Sequence, residues 1–221
     1  MGRQKLFRFE ELKFRKNVVQ RDTERYEQIK SQWGEQVFDN SHPINLELAC
    51  GRGEYTIGLA KHIANENFIG VDIKGERLWR GSTEALDEQL TNAAFLRTFA
   101  LDLSHSFGER EVKDIWIIHP DPRPRERDEK RRLTHPRYLE IFKSIQQAGG
   151  SVYFKTDNTD LFNWTLNEVL KKRVDIEDLV FTHDLKKSAL LAEHYGIETR
   201  YERKFEEKGE KIKYLRFKWK V

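Results

Sequence analysis

Short apolar segments alternate with amphipathic segments through most of the chain. Residues 45–50, 67–73, 95–101, 114–119 and 151–156 have the length and apolar content of buried strands. Residues 54–64, 76–90, 134–148 and 160–172, which lie between or after them, repeat apolar positions at helical spacing. This alternation predicts an α/β fold with a mostly parallel central sheet and helices on both faces.

The first 40 residues differ from this alternating region. Residues 1–20 combine Lys and Arg with phenylalanines, which predicts either an arm that a partner orders or a plain flexible terminus. A helix is predicted to begin at Asp22, a good N-cap residue, and to end at Gly34. We therefore divide the chain into a basic N-terminal arm and helix, residues 1–40, and an α/β domain, residues 41–221.

The last part of the chain also departs from the alternation. Residues 199–205 and 211–219 alternate apolar and charged positions, and Gly209 lies between them. An alternation with period two is typical of a half-buried strand. These segments therefore predict a C-terminal antiparallel hairpin.

Composition limits the classes of protein to which the chain can belong. A hydrophobic content of 38%, with 14 Phe and 5 Trp among 221 residues, can fill a core, and 35% of residues are charged. No apolar run reaches a membrane span and no signal-peptide pattern opens the chain, so a cytoplasmic protein is expected. A single cysteine excludes an internal disulfide, and seven scattered histidines show no metal-ligand spacing.

The net charge is concentrated in one segment. Residues 123–132 contain six bases and three acids, which equals the net charge of +3 of the whole chain. A localised positive segment is the pattern expected for a polyanionic partner such as nucleic acid. A solvated, salt-bridged segment is the alternative.

A glycine loop follows the first predicted strand. Gly51 and Gly53 precede the first predicted helix of the main domain, so the backbone there can turn sharply and approach a ligand. The helix N-terminus behind the loop favours a carboxylate or a phosphate. Thr56 stands where a dinucleotide-binding loop has its third glycine, which disfavours NAD.

Acids accompany the ends of three successive strands. Glu47 lies within the first strand, where a carboxylate can bind a ligand ammonium. Asp72 ends the second strand at the distance from the glycine loop at which an acid reaches ribose hydroxyls, and Asp102 follows the third, where it can receive an adenine amino group. An ammonium, a carboxylate, a ribose and an adenine together describe S-adenosylmethionine. We therefore expect this cofactor to bind Glu47, Gly51, Gly53, Asp72 and Asp102.

A proline-rich loop after the fourth strand carries one acid, Asp121. Pro120, Pro122 and Pro124 restrict their own φ angles and extend their neighbours, so this carboxylate is held in a stiff loop. The basic segment follows at once. A rigid acid beside a cationic segment suits a site that holds a base and its phosphates.

These motifs resemble those of the bacterial single-subunit tRNA (guanine-N7-)-methyltransferases over nearly the whole chain. The matching segments are residues 46–54, 70–79, 120–122, 130–134, 154–158 and 199–205, of which the last four are specific to this family. The resemblance implies a Rossmann-like class I S-adenosylmethionine-dependent methyltransferase fold. It also implies methylation of guanosine N7 in tRNA, at the variable-loop guanosine of position 46.

The resemblance further implies roles for individual residues. Asp121 would be the catalytic acid and would line the cofactor site with Glu47, Asp72 and Asp102. The guanosine or its neighbours would contact Arg125, Asp157, Thr199, Arg200, Tyr201 and Glu202. The tRNA phosphates would contact Arg123, Arg127, Lys130, Arg131, Arg132 and Lys155. No metal and no obligatory protein partner are expected, and the enzyme would be a monomer or a homodimer.

Three positions depart from the family pattern. Arg123 replaces the usual Trp after Pro122, Arg125 replaces the usual Lys, and Asp128 replaces the usual His. The first change removes an aromatic surface that can stack on a base, although Arg can stack as well. The departures bear on substrate contacts more than on cofactor binding.

The chemistry of the reaction favours carboxylates in the site. Guanine N7 has a lone pair and no proton, so methyl transfer needs alignment rather than a general base. Asp121 or Asp157 could stabilise the cationic product or accept bonds from guanine N1–H and the 2-amino group, and the sequence leaves this division open. An exocyclic-amine nucleic-acid methyltransferase and a tRNA-binding module that has lost catalysis are the alternatives.

Overall fold

The computed structural model describes the backbone of residues 2–220 and the side chains of residues 7–220. Its strands are β1 (Val18–Gln20), β2 (Ile44–Leu48), β3 (Asn67–Asp72), β4 (Ala93–Arg97), β5 (Val112–Ile118), β6 (Ser151–Thr156), β7 (Ile176–Thr182) and β8 (Lys213–Trp219). Its α-helices are α1 (Gly2–Glu11), α2 (Glu24–Gln28), α3 (Glu54–His62), α4 (Gly75–Asp87), α5 (Leu103–Ser106), α6 (Pro136–Ile145), α7 (Thr159–Trp164) and α8 (Arg200–Glu206). Within these residues, every helix is too short or too polar to cross a membrane.

The strands form one sheet in the order β1-β4-β3-β2-β5-β6-β8-β7. Pairing is parallel from β1 to β6, whereas β8 is antiparallel to both β6 and β7. The order reverses at β2, because β3 and β4 lie on one side of it and β5 and β6 on the other. Such a reversal opens a crevice at the carboxyl ends of the two strands that flank it.

Helices cover both faces of the sheet. Ile69 and Val71 of β3 belong to a buried cluster that includes Leu139 of α6, and Phe68 of the same strand packs in a second cluster with Leu78 of α4. Burial on both faces is typical of parallel sheets and explains the nearly continuous apolar runs in the sequence. The predicted α/β architecture, a mostly parallel sheet with helices on both faces, is confirmed.

The N-terminal segment contributes a strand to the same sheet. Val18 of β1 pairs in parallel with Phe95 of β4, so the end of the predicted arm lies at the sheet edge. The helix predicted from Asp22 to Gly34 is wrong in its bounds: Asp22 has a left-handed φ of 65°, and Thr23 is the N-cap of the short α2. The domain boundary at residue 40 stays a prediction.

The C-terminal antiparallel pair is confirmed, but its first strand is β7. The strand predicted over residues 199–205 is wrong, because Arg200–Glu206 is helical. The Thr199 side chain accepts a hydrogen bond from Glu202 N at 3.1 Å and caps this helix. A Thr followed three residues later by Glu is a helix-start signal, and here it outweighs the alternating pattern.

Candidate active site

A cleft of about 780 Å³ opens at the carboxyl ends of β2 and β5, where the strand order reverses. The loops after β2, β3 and β5 line it, together with α4 and the start of α8. A second cavity of about 390 Å³ adjoins the cleft. The residues that line both are Ala49, Asp72, Ile73, Asp121 and Arg123. The two cavities therefore offer adjacent sites that share one wall.

The loop after β2 has the backbone conformation that its glycines predict. Gly51 and Gly53 have φ angles of 59° and 74°, in the left-handed region where glycine is unstrained. A Cβ at Gly53 would lie 2.5 Å from Phe95 Cε1, whereas one at Gly51 would meet no atom within 4 Å. Gly53 therefore lets the loop pack on β4, and Gly51 leaves an open backbone surface in the cleft before α3.

Two buried carboxylates hold this loop. Glu47 Oε2 accepts hydrogen bonds from Thr56 N at 2.7 Å and Thr56 Oγ1 at 2.5 Å. Asp72 accepts from Gly51 N at 3.0 Å and Lys74 N at 2.9 Å. Burial raises the pKa of Glu47 to about 8, with help from nearby carboxylates and against the Thr56 bonds. Glu47 is therefore poised to ionise when a cationic group binds beside it.

The second cavity is largely apolar. Ile73, Phe99 and Leu101 line it, and Asp72 lies at its junction with the cleft. The structure does not bring Asp102 into the lining of either cavity, since its carboxylate forms an ion pair with Arg21 at 3.3 Å. The role of Asp102 in the cofactor site stays a prediction. The two residues before it in the chain, Ala100 and Leu101, line the second cavity instead.

Asp121 lies in the wall shared by the two cavities. It is in the loop between β5 and α6, and its side chain is 61% exposed. Arg123 Nε lies 3.3 Å from Asp121 Oδ2, and the Arg123 backbone N donates to Oδ1 at 3.3 Å. His119 and Arg123, two residues before and after Asp121, have left-handed φ angles of 45° and 47°. The loop thus presents an accessible carboxylate between the two sites.

His119 connects two further acids beneath the cleft. Its Nδ1 lies 3.0 Å from Asp157 Oδ1, and its Nε2 lies 3.7 Å from Glu202 Oε2. Burial lowers the pKa of His119, but the Asp157 and Glu202 carboxylates outweigh burial and hold this pKa above its ordinary value. Burial raises the pKa of Asp157 and of Glu202, but the neighbouring cations hold both below their ordinary values.

Lys155 lies behind Glu202 inside the fold. Its Nζ is 2.7 Å from Glu202 Oε2 and donates to Tyr55 Oη at 2.7 Å, and Tyr55 Oη is 2.8 Å from His194 Nδ1. The side chain of Lys155 is only 1% exposed, so it cannot reach a phosphate at the surface. This corrects the expectation that Lys155 contacts tRNA phosphates. Burial and Lys155 lower the pKa of His194 to about 3, which leaves that imidazole neutral.

The substrate residues predicted on α8 fall into two groups. Arg200 and Tyr201 line the cleft, where Arg200 forms an ion pair with Glu54 at 3.3 Å and Tyr201 is 50% exposed. Thr199 lines it as well while capping the helix. Glu202 points inward and is only 2% exposed. Contact of all four residues with the guanosine stays a prediction. Three of them line the cleft, where a bound ligand could touch them directly.

The basic segment predicted to bind phosphates is mostly outside the cleft. Arg123 lines both cavities, whereas Arg125, Arg127, Lys130 and Arg132 line neither. Arg131 lies in the second cavity and pairs with Asp128 at 3.0 Å. Arg132 pairs with Glu129 at 3.6 Å and stacks over Trp164. Part of the local positive charge is therefore matched by acids of the same segment.

Cations that the sequence analysis did not assign line the cleft instead. They are Arg52, Lys74, Arg77 and Arg80. Burial and the nearby charges of Arg200 and Arg80 lower the pKa of Arg52, which shows that like charges converge here. Arg77 and Arg80 lie one helical turn apart on α4, so the helical spacing in residues 75–87 carried a signal for a basic face. For His119, the sequence contained a weaker indication of a role in the site, namely its position directly before Pro120.

The family model and the most similar relatives both indicate a methyltransferase. Residues 41–215 match the family model described as "Putative methyltransferase". A tRNA (guanine-N(7)-)-methyltransferase of Cytophaga hutchinsonii is 48% identical over 219 residues, which cover 99% of each chain. The protein of the same name from Christiangramia forsetii is 40% identical over 224 residues, and these also cover 99% of each chain.

Solved structures share the fold at low sequence identity. The 16S rRNA methyltransferase KamB is 15% identical with a TM-score of 0.59, covering 89% of this chain and 93% of that one. A 30S ribosomal A1408 methyltransferase from an uncultured bacterium is 15% identical with a TM-score of 0.52, covering 83% and 90%. These likenesses support the architecture alone.

Proposed function

This chain belongs to the tRNA (guanine-N(7)-)-methyltransferase family, and we propose that it methylates N7 of the variable-loop guanosine at position 46 of tRNA. It is a methyltransferase that uses S-adenosylmethionine. The observation that carries the proposed site is the position of Asp121. Its accessible carboxylate lies in the one wall that the cleft and the second cavity share.

The residues around this wall fit S-adenosylmethionine. Asp72, fixed by two backbone amides, would bind the ribose hydroxyls, and the apolar cavity at Ile73, Phe99 and Leu101 would take the adenine. Glu47 would hold the ammonium, and the open backbone at Gly51 would hold the carboxylate. The bound cofactor supplies an electrophilic methyl group on a sulfonium. The chain itself supplies alignment and charge.

The larger cleft would hold the guanine. Asp121 and Asp157 both line it, and each can face the base with a carboxylate oxygen. A carboxylate that accepts hydrogen bonds from guanine N1–H and the 2-amino group rejects adenine. A carboxylate near the five-membered ring of guanine stabilises the positive charge that develops on that ring during methyl transfer. Tyr201, half exposed at the rim, offers a surface on which the base can stack. No proton has to leave N7.

The surface around the cleft suits the tRNA backbone. Arg52, Arg77, Arg80 and Arg200 surround the opening, and Arg123 continues this positive surface onto the Asp121 loop. Arg80 and Arg200 also pair with Glu76 at 3.9 Å and with Glu54 at 3.3 Å. Arginines that converge in this way are stabilised when phosphates bind among them. We therefore assign the phosphate contacts near the target guanosine mainly to this cluster, which we call the cleft arginines.

Nucleoside analysis tests the function. Purified protein is incubated with methyl-labelled S-adenosylmethionine and an unmodified tRNA transcript, and the digested product should contain labelled 7-methylguanosine. A transcript with adenosine at position 46, and one with 7-deazaguanosine there, should accept little label. Label in both control transcripts would contradict the proposed position.

The same experiment separates the alternatives. An exocyclic-amine methyltransferase would produce N2-methylguanosine or N6-methyladenosine in place of 7-methylguanosine. A binding module that has lost catalysis would retain tRNA without transferring label. Either outcome would overturn the proposed reaction.

A further inference from the structure

Four ionisable side chains form a row under the cleft. In order they are Asp157, His119, Glu202 and Lys155, and successive contacts measure 3.0 Å, 3.7 Å and 2.7 Å. The row alternates acid and base, and its members come from the loop after β6, the loop after β5, α8 and β6. Methyl transfer to N7 requires no proton transfer, so the reaction alone does not explain a histidine at this point.

The fold fixes the imidazole of His119 between the two acids. Its backbone N donates to Lys155 O at 2.8 Å, its φ angle is left-handed, and its side chain is only 5% exposed. A neutral imidazole carries one N–H and can donate to one carboxylate, whereas both ring nitrogens of the imidazolium donate. A carboxylate oxygen lies 3.0 Å from Nδ1, within hydrogen-bonding distance, and another lies 3.7 Å from Nε2, too far for a hydrogen bond. The negative charge of both buried acids therefore favours the cation. Lys155 lies on the far side of Glu202, and Lys213 of β8 faces the other end of the row, where its Nζ donates to Asp157 O at 2.7 Å.

We propose that His119, as an imidazolium, is a positioning residue that keeps Asp157 and Glu202 ionised and directs Asp157 toward the guanine. His119 and Asp157 both line the cleft, so the imidazolium acts on the base through a carboxylate that can contact it. Asp157 is 19% exposed, which leaves part of its carboxylate open to the ligand. The inference rests on the proposed function, because it assigns His119 a task in binding guanine.

The variant His119→Asn tests this role. Asparagine tolerates the left-handed backbone and can donate to Asp157 from the same direction as Nδ1, but it carries no charge. If the charge matters, kcat with saturating tRNA and cofactor should fall by about tenfold or more, which is less than the loss of a group that touches the reacting atoms. The KM for S-adenosylmethionine should not change. The matched control is His105→Asn, because His105 pairs with Glu27 at the surface, outside the cleft lining.

The pH dependence of kcat distinguishes positioning by charge from simple packing. Wild type should lose activity as pH rises through the pKa of His119, which its two carboxylates hold above the ordinary histidine value. Saturating cofactor keeps the titration of Glu47 out of this profile. His105→Asn should show the same fall in kcat at high pH as wild type. His119→Asn should have a low kcat at every pH and should not show this fall. Unchanged kcat and an unchanged limb in His119→Asn would overturn the proposal.

Proton NMR of the histidine Cε1–H signals tests the charge without any catalysis. The resonance absent from His119→Asn belongs to His119, and its midpoint should lie above the ordinary value of 6.5. Asp157→Asn should lower that midpoint. A midpoint at or below 6.5 in wild type would overturn the proposal. Should His119→Asn fail to fold, the resonance whose midpoint moves in Asp157→Asn assigns His119 instead. Absence of methyl transfer by wild type would instead refute the proposed function and leave the NMR result standing.

Discussion

The two halves of the cleft hold their acids in different ways. On the proposed cofactor side, Glu47 and Asp72 are bound by backbone amides of Thr56, Gly51 and Lys74. On the proposed substrate side, each acid has a basic side chain as its partner: Asp121 meets Arg123, Asp157 meets His119, and Glu202 meets Lys155. One side is therefore held by neutral dipoles and the other by ion pairs.

This difference fits what we propose that each side binds. Backbone amides orient Glu47 and Asp72 without a counter-cation, which leaves Asp72 open to ribose hydroxyls and lets Glu47 ionise when an ammonium binds. The acids of the proposed substrate side would face a base that is neutral before transfer and cationic after it. Ion pairs compensate these carboxylates until then, and the exposed pair at Asp121 can open at little cost. The following predictions, from the largest expected effect to the smallest, test this contrast.

Removing the innermost cation should cost the most. Lys155→Met leaves Glu202 buried without its closest partner, so the free energy of unfolding should fall by about 3 kcal/mol. Lys186→Met is the matched control, because Lys186 makes a 2.6 Å pair with Glu206 of the same helix at the surface and should cost less than about 1 kcal/mol. Urea unfolding followed by circular dichroism measures both. Equal losses would show that burial does not distinguish the two pairs.

Removing the exposed acid should reduce the rate and spare the fold. Asp121→Asn keeps the shape of the side chain and loses its charge, so single-turnover methyl transfer should slow by about 100-fold, with melting temperature and cofactor affinity nearly unchanged. Asp128→Asn, in the same segment but paired with Arg131, should transfer at close to the wild-type rate. A wild-type rate for Asp121→Asn would reduce Asp121 to a turn residue and make Asp157 the leading candidate.

Breaking an amide-bound acid should weaken cofactor binding. Asp72→Ala removes the acceptor of two loop amides and of the ribose, so the Kd for S-adenosylmethionine should rise by about tenfold or more. Asp102→Ala is the control, because Asp102 pairs with Arg21 and does not line either cavity. The Kd of this variant for S-adenosylmethionine should change little. Calorimetry measures both values. Comparable losses would restore Asp102 to the adenine site.

The pKa of Glu47 predicts a pH-dependent affinity. With its pKa near 8, the free protein carries a protonated Glu47 at pH 7, and only the ionised form attracts an ammonium. Affinity for S-adenosylhomocysteine should therefore rise about fivefold from pH 7 to pH 8, in proportion to the ionised fraction. Because this pKa is raised from 4.5, the same group contributes stability at low pH that is lost as pH rises toward 8. Glu47→Gln should abolish both trends.

The cleft arginines should produce the smallest single effect. Arg77→Ala should lower the log–log salt slope of tRNA binding by about 0.7–0.9, as expected for one phosphate contact. Arg131→Ala should lower it less, because Arg131 already pairs with Asp128. Filter binding at several salt concentrations measures the slopes. The opposite order would return the phosphate contacts to the basic segment of residues 123–132.

Much of the fold was predictable because it depends on local pattern. The strands β2 to β6 are buried on both faces, so their apolar runs stand out, and the predicted strand at residues 151–156 matches β6. β7 was missed because it is largely exposed and two acids, Glu177 and Asp178, interrupt its apolar residues. The helix at residues 200–206 was misread because capping competed with alternation over a span too short to decide between them.

The positions of the acids in the candidate site could be predicted from the sequence where the acids lie at or near the ends of strands. Parallel strands bring their carboxyl ends to one edge, so Glu47, Asp72 and Asp121 meet there as expected. Asp102 also follows a strand, yet it ends a short 3-10 turn, Ala100–Asp102, and its side chain pairs with Arg21. A single turn of backbone decides such a direction, and sequence spacing does not report it.

The sequence by itself determined the strand and helix alternation, the glycine loop and the family, because these depend on residues close together in the chain. Only the tertiary structure decided which charges meet. Lys155 and Glu202 are 47 residues apart in sequence, and His119 joins them from a third segment. Whether a lysine faces a phosphate or a buried glutamate depends on how β6 and α8 pack. That packing is set by contacts across the whole core.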